Sequence, residues 1–309
     1  MKNYADRLLT AIQEKGNPCI VGLDPRIDQM PEFLFVMFKN QKFEDRIVSI
    51  ISEFHKLVID EIADKVSAVK PQIAFFEQYG LSGMEAFQKT LSYAKKKGLL
   101  TIVDAKRNDI GSTAEAYSNT FLGRTNIFGE KFPIYDVDCI TVSPFLGEDS
   151  LIPFIKDSAE YGKGIFILVK TSNPGSGDVQ NLKINPSNEE VYLRLAKLVK
   201  KLGINLVGEK GYSSIGAVVG ATYPREAEVL REIMDTSIFL VPGYGAQGAS
   251  GKDIVNCFNA DGLGAVVNAS RSITYNFGPK SISESEFVKS VEKNTLEMIT
   301  DVNGVLSLK

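Results

Sequence analysis

Leu100-Thr101-Ile102-Val103-Asp104-Ala105-Lys106-Arg107-Asn108-Asp109-Ile110 is an apolar run of strand length that ends in a carboxylate, an ammonium two residues on, and a second carboxylate three beyond that. Residues i and i+2 of a strand face the same way, so Asp104 and Lys106 are predicted to stand side by side. Gly111 then breaks the strand, and Ser112-Thr113-Ala114-Glu115 reads as a capping box opening a helix. Asp109 falls on the strand-to-helix turn, where functional groups are often mounted. Charges of both signs at the end of a buried strand are costly unless paired or used. A structural ion pair is the plain alternative to a reactive site.

The same alternation runs through the chain. Strands are expected at residues 19–23, 68–75, 99–106, 139–143, 164–170, 215–220, 238–241 and 265–269, and helices at 43–63, 83–97, 112–122, 189–202, 225–234 and 283–299. Eight strands alternating with helices predict an α/β fold, a (β/α)8 TIM barrel forming a single domain over residues 1–309. An open doubly wound sheet is the rival, and the strand count favours the barrel. The start Met1-Lys2-Asn3-Tyr4-Ala5-Asp6-Arg7-Leu8-Leu9 reads as an amphipathic helix rather than a signal peptide. Residues 171–188, opening Thr171-Ser172-Asn173-Pro174-Gly175, are polar and are expected as an extended loop.

With 44% hydrophobic and 24% charged residues the composition is that of an ordinary globular protein. A net charge of −3 offers no global basic field for nucleic acid, so an anionic ligand must be held by local donors. Cys19, Cys139 and Cys257 are too far apart in sequence for a zinc pattern or a disulfide framework. They are expected as buried thiols in a reducing cytoplasm. No apolar run approaches the roughly 20 residues that span a membrane.

A barrel carries its active site at the C-terminal ends of its strands. Those ends hold Asp24, Lys70, Asp104, Lys106, Ser143, Lys170, Thr222, the segment 242–247 and Arg271. The loop Pro242-Gly243-Tyr244-Gly245-Ala246-Gln247-Gly248 can bring backbone N–H groups close to an anion. Arg271, after the eighth strand, adds a guanidinium at the adjacent rim, where barrels often bind phosphate. If Lys70, Asp104, Lys106 and Asp109 converge, alternating charges keep one another ionised. That suits a reaction that creates negative charge on carbon and then protonates it. A Schiff-base role for Lys106 or Lys170 is the rival, but it needs a depressed lysine pKa, which a nearby aspartate opposes. His55 lies in a helical pattern away from strand ends and is expected in the helix rather than the chemistry. No side-chain spacing suggests a metal.

These motifs resemble a known family. Asp104-Ala105-Lys106-Arg107-Asn108-Asp109-Ile110 has the Asp-x-Lys-x-x-Asp-Ile pattern of orotidine 5′-phosphate decarboxylases. Gly22-Leu23-Asp24-Pro25, Lys70-Pro71 with Ala74-Phe75-Phe76-Glu77, and the Pro242–Gly248 loop with Arg271 are similar to that family in the same order. Residues 171–188 resemble its longer-chain branch. The resemblance implies decarboxylation of orotidine 5′-phosphate to UMP and CO₂, the last step of de novo UMP synthesis, with no cofactor and no metal. It implies that Lys106 protonates C6, Asp104 lies beside the departing carboxylate, and Lys70 orients Asp104 and reaches the ribose. It further implies Asp24 on the ribose, Ser143 on the pyrimidine edge, and Pro242, Gln247 and Arg271 around the phosphate. Family members are homodimers, so Asp109, Ile110 and Thr113 are expected to complete the partner's site. The remaining alternatives are a metal-dependent sugar-phosphate decarboxylase or epimerase, a Schiff-base aldolase, and a silent phosphate-binding barrel.

Overall fold

A computed structural model of the chain describes residues 2–245 and 248–306. Eight parallel strands close into a barrel: β1 (Cys19–Leu23), β2 (Ala68–Pro71), β3 (Leu100–Arg107), β4 (Cys139–Val142), β5 (Gly164–Lys170), β6 (Ser213–Val219), β7 (Ser237–Val241) and β8 (Ala265–Ala269). Each strand pairs with its neighbours in sequence, and β8 closes on β1 through Cys19↔Val267 and Val21↔Ala269. The expected TIM barrel is therefore the observed fold.

Strand alternation sorts the apolar side chains into two layers. Val21, Val69, Val103, Ile140 and Ile167 face outward and pack under helix residues such as Phe54, Phe87 and Phe287. Ile20, Ala68, Ile102, Phe166, Ile238 and Val266 fill the interior. The floor of that interior is closed by the N-terminal helix Tyr4–Lys15, which contributes Tyr4, Leu8, Leu9 and Ile12 to the inner layer. Gly164, the first residue of β5, makes room for it: a Cβ there would lie 2.1 Å from Tyr4 Cδ1. Arg7 ties the helix to β4 through an ion pair with Asp138 at 2.5 Å. Cys19, Cys139 and Cys257 are buried free thiols. His55 is fully buried between Phe54 and Phe76 with Nδ1 3.1 Å from Thr90 Oγ1, and burial pushes its pKa down to about 3.

Three local expectations are corrected, and one hairpin is added. The strand expected over 68–75 ends at Pro71, and Ala74–Glu77 forms a helical turn. Its short apolar run carries no period that separates strand from helix. The capping box at Ser112 is absent: the helix Gly111–Phe121 has Ile110 at its N-cap with no side-chain cap, so Ser112 lies inside the first turn. Residues 171–188 are not a bare loop but hold a 3-10 turn (Pro174–Ser176), a short helix (Gly177–Gln180) and a strand pair, Lys183–Ile184 with Glu189–Glu190. A hairpin, Thr125–Ile127 with Glu130–Phe132, precedes β4. Its two turn residues, Phe128 and Gly129, have φ of 54° and 90°, the left-handed pair of a tight hairpin. The phenylalanine in that turn disguised it.

Candidate active site

Inward-facing positions at the C-terminal ends of the strands bring charges together at one mouth. Lys70 on β2 and Asp104 on β3 meet with Nζ 3.1 Å from Oδ2. Lys106 reaches the other carboxylate oxygen, with Nζ 2.6 Å from Oδ1. Asp104 thus lies between two ammoniums. Burial alone would push its carboxyl pKa up, but Lys70 and then Lys106 outweigh it and hold Asp104 well below the usual carboxylate range. Burial opposes the charge on Lys70 as well, yet Asp104 and Asp24 raise its pKa. Lys70 and Asp104 stay ionised at neutral pH, and Lys70 lacks the lowered pKa that Schiff-base chemistry needs.

Asp24, Lys70, Asp104, Pro242 and Arg271 line a single cavity at this mouth. Asp24 follows β1, and the absence of a side chain at Gly22 lets β8 close in: a Cβ at Gly22 would lie 1.8 Å from Ser270 Oγ. Desolvation raises the Asp24 pKa against the pull of Lys70. Arg271 opens the turn Arg271–Thr274 after β8 and, among the described residues, has no ion pair. Gly245, at φ 70°, could carry no Cβ without one lying 2.8 Å from Ser272 Oγ, so the loop after β7 passes tightly against the turn that carries Arg271. Gln247 lies outside the described residues.

Two wall residues lie outside the expected set. Arg26 stacks its guanidinium 4.3 Å from the centre of the Phe75 ring, and Asn268 stands on β8 in the inward register. Asp24 Oδ1, Asn268 Oδ1 and Arg26 Nε are buried without a hydrogen-bond partner. Orphaned polar atoms of both kinds around one cavity are costly unless a ligand fills them. The period-two register of β8, with Val266 inward, already points Asn268 into the barrel. With Lys70, Lys106, Arg26 and Arg271 set against Asp24 and Asp104, the site carries an excess of positive charge that suits an anion.

Other expected residues lie apart. Asp109 makes no ion pair with the trio among the described residues, and its Oδ1 accepts from the Ile110 amide at 2.8 Å. Within one chain, then, three charges converge rather than four. Ile110 is 56% exposed and Thr113 is exposed on the first helical turn. The Ser143 hydroxyl accepts the Phe145 amide at 3.4 Å, and Ser143 does not line the cavity. Lys170 is fully buried between the Tyr192 and Tyr223 rings, with Nζ 2.6 Å from Asn181 Oδ1. A shift in the β5–β6 pairing precedes it, which pairs Lys170 with the outward-facing Val219. The Thr222 hydroxyl donates to the Ser172 carbonyl. Among the described residues no group of three or more His, Cys, Asp or Glu side chains is placed to hold a metal ion, and no helix is long and apolar enough to cross a membrane.

Comparison with known proteins agrees with this geometry. A model of the orotidine 5′-phosphate decarboxylase / HUMPS family matches residues 19–285. The chain is 40% identical to the orotidine 5′-phosphate decarboxylase of Caldicellulosiruptor bescii, over 99% of this chain and 100% of that one. It is 42% identical to the enzyme of the same name from Rhodopirellula baltica, over 98% and 100%. The solved structure of Leishmania donovani OMP decarboxylase superposes with a TM-score of 0.73 at 26% identity, covering 99% of each chain. The closed barrel, the Lys70–Asp104–Lys106 trio at its mouth and these full-length likenesses place the chain in the orotidine 5′-phosphate decarboxylase / HUMPS family.

Proposed function

We propose that this chain decarboxylates orotidine 5′-phosphate to UMP and CO₂, the last step of de novo UMP synthesis, with its own side chains as the only catalytic groups. The observation that carries this reading is the Asp104 carboxylate held between two ammoniums, in the same cavity as Arg271. The substrate carboxylate would lie against Asp104, whose charge disfavours the bound ground state. As the bond from C6 to the carboxylate breaks, its electron pair stays on C6 and CO₂ departs. Lys106 stabilises the carbanion and passes a proton to C6. Solvent then reprotonates the lysine. Lys70 holds Asp104 and reaches the ribose, Asp24 accepts from ribose hydroxyls, and Arg271 with Gln247 and the loop at Pro242 takes the phosphate. The unpartnered Asp24 Oδ1 supports the ribose contact. Ser143 does not line the cavity, which gives no support to a pyrimidine contact there.

Full-length identity to orotidine 5′-phosphate decarboxylases favours this substrate over the sugar phosphates of the metal-dependent alternative. Purified protein mixed with orotidine 5′-phosphate in excess chelator is expected to lose the substrate absorbance at an undiminished rate. A rate that collapses in chelator and returns with Mg²⁺ would favour the metal-dependent reading.

Two copies are proposed to share their sites, with Asp109, Ile110 and Thr113 of each completing the other. Support comes from the place of Asp109 three residues beyond Lys106 and from the exposure of Ile110 and Thr113. Mixing inactive Lys106→Ala with inactive Asp109→Ala protein is expected to restore part of the activity, because one of the two sites in a mixed dimer is intact. Mixed dimers that stay inactive count against sharing. The buried free thiols fit a reducing cytoplasm.

A further inference from the structure

Thr141 is a polar residue inside β4, and its surroundings are unusual. β3 and β4 pair Ile102↔Cys139 and Val103↔Ile140, and their next pair is Arg107↔Val142. From there β3 uses four residues where β4 uses two. The surplus is taken up around Lys106, whose φ is 47°. A residue with a side chain is strained in this left-handed region and persists there only where its surroundings enforce it.

The enforcement comes from one oxygen. Thr141 Oγ1 accepts from the Ala105 amide at 3.0 Å and from the Lys106 amide at 2.9 Å. The same oxygen lies 2.9 Å from Asp104 Oδ1. A hydroxyl offers two lone pairs and one proton. The two amides take the lone pairs, so the proton points at Asp104, at the same carboxylate oxygen that Lys106 contacts. Thr141 is 1% exposed, so the contacts form without solvent competition.

We propose that Thr141 is a positioning residue for decarboxylation: its hydroxyl sets the β3 bulge that turns Lys106 onto Asp104 and holds the Asp104 oxygen facing that lysine. Ammonium and carboxylate are thereby in register before substrate arrives. The inference rests on the reading of Lys106 as the proton donor. Thr141 itself touches neither the phosphate grip at Arg271 nor Asp24, so its loss affects the reacting end alone.

The test compares Thr141→Val, which keeps the volume and removes the hydroxyl, with Thr141→Ser, which keeps the hydroxyl, and with Lys106→Ala as reference. Thr141→Val is expected to lower kcat by about 10- to 100-fold, the scale of a reacting group displaced by an ångström. KM and the Kd for UMP should stay within about threefold of the parent, because the binding contacts are elsewhere. Thr141→Ser is expected to recover most of kcat. If Thr141→Val does not fold, Thr141→Cys, whose thiol is only a weak donor and acceptor, takes its place in the comparison. The proposal is overturned if the hydroxyl-free variant keeps kcat within about twofold of the parent. It also falls if Thr141→Ser loses as much as Thr141→Val, or if UMP affinity falls in step with kcat. A normal Thr141→Val beside an inactive Lys106→Ala defeats this inference alone, whereas an active Lys106→Ala defeats the reading beneath it.

Discussion

Lys106→Ala is expected to lower kcat on the order of 10⁴-fold while changing the affinity for UMP by less than about tenfold. General acid catalysis typically contributes about 10²–10⁴-fold, and a charge aimed at a developing anion about 10²–10³-fold. Lys106 is assigned both tasks, so its removal takes both at once. UMP has already lost its carboxylate and needs no proton, and its phosphate is assigned to the other side of the cavity. The loss therefore belongs to the transition state rather than to ground-state binding. Alanine keeps a Cβ at φ 47°, so the strained backbone of the bulge is retained and the comparison reports the ammonium. Single-turnover kinetics with titration of UMP separates the two quantities. Turnover within about tenfold of the parent would place the proton donor elsewhere.

Arg271→Ala is expected to weaken UMP binding by about 2–5 kcal/mol, the range for removing one partner of a close charge pair. Arg271 lines the cavity and has no ion pair with the protein among the described residues, so the guanidinium is available to a ligand. The effect should be confined to phosphate. Uridine, which has the base and ribose but no phosphate, should bind parent and variant alike. Calorimetry with both ligands checks this, and an unchanged affinity for UMP would remove Arg271 from the phosphate site.

The barrel was legible because its evidence is periodic. Short apolar runs such as Cys19–Leu23 and Ala265–Ala269 alternate with amphipathic helices, and both strands were placed to the residue. The pairing of Asp104 with Lys106 was also foreseen, though not its backbone. Simple alternation predicts a flat strand end, whereas the contact is made across a bulge set by a residue of the next strand. Nothing local marks Thr141, a threonine in an apolar strand, as a bulge acceptor. That role depends on register between strands, which one sequence does not display. Lys170 shows the converse: it ends a strand at the expected height, but a pairing shift draws it under the 171–188 segment. Asn268 could have been found from the two-residue period of its own strand, whereas Arg26 lies in the coil between β1 and the turn Ile27–Gln29, where no period applies.

The stopper in the barrel floor has a consequence for biosynthesis. Tyr4 seats against Gly164 and Phe166, the Ala5 amide donates to Ser214, and the Asn3 side chain reaches the Leu206 carbonyl. The Tyr4–Lys15 helix thus has its berth in segments translated some 160 to 210 residues after it. Contacts of such long sequence separation form slowly. During translation the half-made barrel is open at the base, and the helix that closes it docks only once those segments have emerged.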